Sequence, residues 1–153
     1  LSIENPVESE VLLTTEESST WLLDSGASYH VTPHRSQFRQ YSDRHSDSVR
    51  VGNSQHCAII GIGTVELNLS GGSTLVLHNV WHVPELSRPL ISIGQLDEAG
   101  IRAGFSSGGW TLHKGNLLLA RGPKVQSLYP LYVTLREGVL FFMDIPSPWI
   151  FRN

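Results

Sequence analysis

Trp21-Leu22-Leu23-Asp24-Ser25-Gly26-Ala27-Ser28 is the stretch on which the reading of this chain turns. An apolar strand ends on one carboxylate, which is delivered into a turn of small residues. Leu22 and Leu23 set where the strand stops, Ser25 offers a hydroxyl that can brace the turn, and Gly26 allows close backbone approach or a positive φ. An aspartate held there points into a cleft. Asp-Ser-Gly is also the composition of an ordinary turn, and its surroundings decide between the two. Downstream, Leu90-Ile91-Ser92-Ile93-Gly94-Gln95-Leu96 is an apolar run closed by glycine and followed by a helix signal, Gln95 to Ala99, which Gly100 ends.

Between these two stretches the chain alternates. Thr20 to Leu23 is the strand feeding the aspartate turn, and Val49-Arg50-Val51 and Ala58-Ile59-Ile60 flank Gly52-Asn53-Ser54-Gln55 as a predicted hairpin. From Gly63 to Leu69, Val65, Leu67 and Leu69 alternate with Thr64, Glu66 and Asn68, and after Gly71-Gly72 the chain returns as Thr74 to Val80. Period two with a glycine turn predicts an antiparallel pair with one buried face. Trp110 to His113, a Lys114-Gly115-Asn116 turn and Leu117 to Arg121 predict another hairpin. His34 to Ser48 reads as a polar surface loop with a helical turn at Ser36 to Gln40. Residues 1–18 read as a solvated acidic lead with a strand at Glu10 to Leu13. The expected class is all-β with one short helix.

A length of 153 residues accommodates one domain with tails. A charged fraction of 16% and a formal charge of -3, without a basic run, argue against nucleic acid as the main partner. Cys57 is the single cysteine, so neither an intrachain disulfide nor a zinc knuckle is expected, and the residue reads as a small hydrophobe in a reducing compartment. No apolar stretch reaches membrane-spanning length, and Leu1 to Thr20 carries five Glu residues with no basic region, so neither a signal peptide nor an anchor is expected. A chain starting on Leu1 is expected to be a processed product or a piece of a longer polypeptide. Among seven histidines, His30/His34 and His78/His82 have i, i+4 spacing, yet neither pair carries a zincin Glu and both fall in strand or loop. No metal is expected. Ser25 lacks the elbow that would expose a nucleophile, which argues against a Ser/His/Asp hydrolase.

The chain resembles the retropepsins, most closely the proteases of copia-type LTR retrotransposons, over Ser19 to Leu131. The resemblance is carried by Trp21 to Thr32, Gly61-Ile62-Gly63-Thr64-Val65, Val80-Trp81-His82-Val83-Pro84, Leu90 to Leu96 and Leu128-Tyr129-Pro130-Leu131. It implies a retropepsin-like acid protease fold: a closed, barrel-like β domain with a flap hairpin and one short helix, one lobe per chain. The corresponding organisation is an acidic lead (1–18), a protease core (19–105), a β-hairpin extension leading toward a pre-integrase region (106–135) and an apolar tail (136–153). That tail departs from the family pattern, and its apolar residues from Val139 to Phe151 are expected to be buried, with a subunit interface favoured.

Carried over by position, the resemblance assigns Asp24, Ser25 and Gly26 to the catalytic loop, with Asp24 as the acid and Ser25 gripping its counterpart in a second subunit. It assigns Ala27, Ser28 and the flap residues Val51, Gly52, Asn53 and Ser54 to substrate binding. His30 is expected to have a structural hydrogen-bonding role. Asp43, Asp47, Asp97 and Asp144 lack the turn residues, so the second carboxylate must come from another copy and a homodimer is expected. The implied activity is aspartic endopeptidase cleavage of a retrotransposon Gag-Pol polyprotein, without cofactor, metal, nucleic acid or membrane, in the cytoplasm or in virus-like particles. The alternative is a catalytically silent module for dimerisation or peptide binding. Where retroviral members commonly pair an Asp with an Arg behind the loop, this chain has Ser28 and Gln95, and a neutral hydrogen bond is expected instead.

Overall fold

The computed structural model describes residues 20–43, 47–50 and 56–133. Outside them lie the acidic lead with its expected strand, the hairpin-tip residues Val51, Gly52, Asn53 and Ser54, and the apolar tail 136–153. The described chain is predominantly β. Its strands are β1 (Thr20–Asp24), β2 (Val31–Thr32), β3 (Phe38–Ser42), β4 (Asp47–Arg50), β5 (His56–Ile59), β6 (Gly61–Asn68) and β7 (Thr74–His82). After β8 (Leu90–Ser92) comes the helix α1 (Ile93–Glu98), then β9 (Ile101–Ser106), β10 (Gly109–Lys114), β11 (Leu117–Pro123) and β12 (Pro130–Tyr132). One seven-stranded sheet has the order β12-β1-β8-β2-β7-β6-β3, and β11-β10-β9 and β4-β5 form two smaller sheets.

The longest strands follow the apolar alternation. Val65 and Leu67 turn inward from β6, as does Leu69 just beyond its end, and Leu75 and Leu77 meet them from β7. The phase then changes. Asn79 takes a positive φ of 54°, and between the partners Val65↔Leu77 and Gly63↔Val80 the β7 side carries one extra residue. Asparagine tolerates this left-handed backbone, and the bulge re-aims the rest of the strand so that Val80 and His82 face inward.

Two expectations are corrected. The polar segment from His34 onward is not a loop with a helical turn at Ser36 to Gln40; it holds a short 3-10 turn, Arg35–Gln37, and then β3. Phe38 is the anchor that alternation could not reveal, since it is the one buried side chain of β3 and packs edge-on to Tyr41. The helix starts at Ile93 instead of Gln95, because Ser92 caps it by accepting the Gln95 N–H at 3.1 Å. Gly94 therefore lies inside the first turn, and Gly100 follows the helix with a φ of +84°.

The expected barrel-like closure is not detected among the described residues. Among the described residues the main sheet is open, with β12 and β3 at its edges, although one antiparallel bridge joins Leu69 to Val133. Closure requires a staggered ladder all the way round, and a single bridge does not supply one.

Trp21, Leu23, Val65, Leu77, Ile91 and Leu96 share one core with Trp110 and Leu112 of β10 and Leu131 of β12. A smaller cluster of Val31, Cys57, Ile59 and Val83 seats β5 against β2 and the end of β7. Cys57 is thus a buried apolar contact, its thiol pushed up by burial and by nearby Glu85. Close strand approach matters most at Gly63, where a Cβ would stand 2.0 Å from the Gln40 carbonyl oxygen. Gly63→Ala must push β3 off β6, and a loss of about 1–3 kcal/mol in urea unfolding is expected. An unchanged midpoint would show that β3 can shift at no cost.

Candidate active site

Asp24 is held by strands on both sides of β1. Leu22, Leu23 and Asp24 pair in parallel with Leu90, Ile91 and Ser92 of β8, while Thr20, Trp21 and Leu22 pair antiparallel with Tyr132, Leu131 and Pro130 of β12. Leu23 and Ile91 are buried, so the strand end cannot slide without exposing them. Beyond Asp24 the chain turns at once, the Ala27 N–H reaching the Asp24 carbonyl at 3.4 Å.

The turn also holds the carboxylate. The Gly26 N–H donates to Asp24 Oδ1 at 2.7 Å, and a Cβ on residue 26 would lie 3.3 Å from that oxygen. Gly26 serves here through close approach, since its φ is not in the left-handed region. Asp24 and Ala27 are half-buried, whereas Ser25, Gly26 and Ser28 are exposed. The catalytic-loop candidates and the substrate-binding candidates Ala27 and Ser28 therefore lie together on one exposed turn.

The neutral hydrogen bond expected between positions 28 and 95 is present, with backbone as the acceptor. Gln95 Nε2 donates to the Ser28 backbone carbonyl at 3.3 Å. Val51, Gly52, Asn53 and Ser54 lie outside the described residues, but the hairpin that carries them is paired from Asp47↔Ile59 to Arg50↔His56. Cys57 and Ile59 root that hairpin in the cluster containing Val31, directly after the aspartate loop.

Two contacts near the site were not signalled by local sequence, and a third fills the hydrogen-bonding role expected of His30. Tyr29 is 40% exposed and stacks on Trp81 with 3.8 Å between ring centroids, presenting an aromatic face beside the loop. Tyr41 Oη meets His82 Nδ1 at 2.7 Å, tying β3 to β7. Ser92 N–H donates to the buried His30 Nδ1 at 3.0 Å, joining the end of the loop to β8. The last partners stand 62 positions apart in the chain. Among the described residues no group of three or more His, Cys, Asp or Glu is arranged to hold a metal ion.

Burial pushes the His30 imidazole down to about 4 from its ordinary 6.5. His82 is also lowered, chiefly by burial, with Arg35 and His34 adding to the effect and the Pro33 carbonyl opposing it. Unfolded His30 binds a proton between pH 6.5 and 4 that the folded ring refuses. Its contribution is therefore complete above pH 6.5 and lost as pH falls toward 4, about 3 kcal/mol across that window. Urea midpoints should decline over this range, and His30→Asn should remove the His30 part of the slope. A slope unchanged in that variant would contradict burial of a neutral ring.

Residues 21–101 match the family described as Pol polyprotein, beta-barrel domain. Over 133 residues, 87% of this chain, the sequence is 36% identical to the "Retrovirus-related Pol polyprotein from transposon TNT 1-94" of Nicotiana tabacum. Over 137 residues, 85% of this chain, it is 30% identical to the "Retrovirus-related Pol polyprotein from transposon RE1" of Arabidopsis thaliana. The matched regions are 10% and 9% of those relatives, so the chain spans about a tenth of their length.

Proposed function

The chain belongs to the Pol polyprotein beta-barrel domain family, and from that premise we propose that it is a retropepsin-like aspartic endopeptidase acting on a retrotransposon polyprotein. The observation that carries the proposal is the Asp24 turn: a carboxylate at the end of a doubly paired strand, held by the Gly26 N–H, on a loop open to solvent. An aspartate serving only to close a turn would not need a strand fixed on both sides. A peptidase needs it, because the reacting water must be met at a defined position.

One chain supplies one such carboxylate. In a homodimer built about a two-fold axis at the exposed turn, Asp24 and its copy come close enough to share one proton, since two like charges at short range are costly. The ionised carboxylate takes a proton from water as the oxygen attacks the peptide carbonyl. The protonated one donates to the carbonyl oxygen and stabilises the tetrahedral intermediate; its collapse breaks the C–N bond as the proton taken from water passes to the leaving nitrogen, giving an acid and an amine. Neither metal nor a covalent enzyme intermediate is needed.

The remaining parts have matching roles. Ser25 grips its counterpart across the axis, Gly26 offers backbone to the substrate, and Ala27 and Ser28 line the cleft. In this reading the β4-β5 hairpin is the flap that covers an extended peptide and excludes water. The exposed Tyr29 face gives a peptide side chain an aromatic surface to rest on. The test is digestion of a peptide library, with the oligomeric state measured on the same samples. Cleavage confined to dimeric fractions and dependent on Asp24 is expected; cleavage by monomer, or dimer without cleavage, would overturn the reading.

A further inference from the structure

We propose that His30 is a positioning residue of the aspartate loop: by taking the Ser92 amide, its ring leaves the Gln95 side chain to hold the Ser28 carbonyl. The contacts are geometric, and the effect on catalysis rests on the endopeptidase reading above. Ser92-Ile93-Gly94-Gln95 has the Ser-x-x-Gln form of a helix capping box. In that motif the serine side chain takes the backbone N–H of the fourth residue, and the glutamine side chain returns to the backbone N–H of the serine. Here the first half is made, with Ser92 Oγ accepting from Gln95 N–H at 3.1 Å. The second half is diverted. Ser92 N–H donates to His30 Nδ1 at 3.0 Å in a buried contact, and Gln95 Nε2 donates to the Ser28 carbonyl at 3.3 Å.

His30 thus settles a competition. Ser92 is the β8 partner of Asp24, and Ser28 lies on the turn that follows Asp24, so the three residues clamp the loop from behind and from its far end. To accept an N–H, Nδ1 must carry no proton, which makes the ring the neutral Nε2–H tautomer. Without that acceptor, the Gln95 side chain carbonyl is the group placed by the helix to take the Ser92 amide. The box then completes itself, and Ser28 loses its tie. Helix α1 survives the change; the geometry of the loop does not.

The test compares His30→Leu, His30→Asn, Gln95→Ala and the His30→Leu/Gln95→Ala double variant in the full chain. Leucine fills space without an acceptor, whereas asparagine presents Oδ1 where Nδ1 stands. On a peptide cleaved by the wild type, kcat is expected to fall about 10- to 100-fold in His30→Leu and in Gln95→Ala, with KM little changed. His30→Asn should stay within about threefold of wild type, and the double variant should be no slower than either single one, because both remove the same tie. Wild-type kcat in His30→Leu, failure of rescue by asparagine, or multiplying losses would each overturn the proposal.

A second measurement does not depend on cleavage. Nuclear magnetic resonance should place the Gln95 side-chain amide against Ser28 in the wild type and His30→Asn, and against Ser92 in His30→Leu. A side chain that stays on Ser28 in His30→Leu refutes the competition. If the wild type cleaves nothing, the endopeptidase reading fails, and this measurement still decides what His30 holds.

Discussion

Asp24→Asn is expected to lower peptide cleavage by at least about 10³-fold while leaving the fold in place. The substitution is nearly isosteric, and the Asn carbonyl oxygen can keep the hydrogen bond that the Gly26 N–H now makes at 2.7 Å. Asp24 is only half-buried and the strands beside it are paired through their backbones, so urea unfolding should move little. What disappears is proton exchange, because an amide can neither take a proton from water nor give one to the carbonyl. Full activity in this variant would end the endopeptidase proposal. Mixing adds a test of the two-fold site: with free subunit exchange, an equal amount of Asp24→Asn chain should reduce wild-type cleavage to about half, since each mixed dimer has one carboxyl. Activity unaffected by mixing would mean that the carboxylate acts within one subunit.

Trp110→Ala should be the most damaging core substitution, costing about 3–5 kcal/mol out of the 5–15 kcal/mol that typically separates folded from unfolded chains. Trp110 is 3% exposed and its Nε1–H donates to the Pro130 carbonyl at 2.9 Å. Its ring fills the space over Gly122, where a Cβ would lie only 2.6 Å away. Removing the indole opens a cavity and takes away its hydrogen bond to the carbonyl of Pro130, the first residue of β12. Because Pro130 is also the register partner of Leu22, the disturbance passes to the strand that ends on Asp24. A fall in melting temperature of more than about 10 °C is expected, together with loss of cleavage; near-native stability would show that β10 is not integral to the core.

The sequence was most legible where pattern and burial share a period. Val65, Leu67 and Leu69 announce β6, and the strand before Asp24 and the turn at Gly26 follow from local chemistry. Legibility failed where one residue outweighed its neighbours. Phe38 alone draws a polar segment into β3, and Asn79 shifts the alternation of β7 by one residue, a change that counting by twos does not foresee. Gly94, which reads as a stop, hides Ser92 two places earlier as a cap. In the site, Asp24 to Ser28 are contiguous and could be named together. The groups that hold them are not: Ser92 meets Asp24, Gln95 meets Ser28 and His30 meets Ser92 only after the β8 strand has been laid beside β1.

That arrangement has a consequence in time. The neighbours of β1 begin at Leu90 on one side and Pro130 on the other, so a growing chain carries Asp24 for more than half the length of the domain before either strand can reach it. Pairing across such sequence distances is slow to form and comes late in folding. Should this domain cut the polypeptide in which it is made, synthesis itself supplies the delay: the cutting edge is finished only when β12 has left the ribosome.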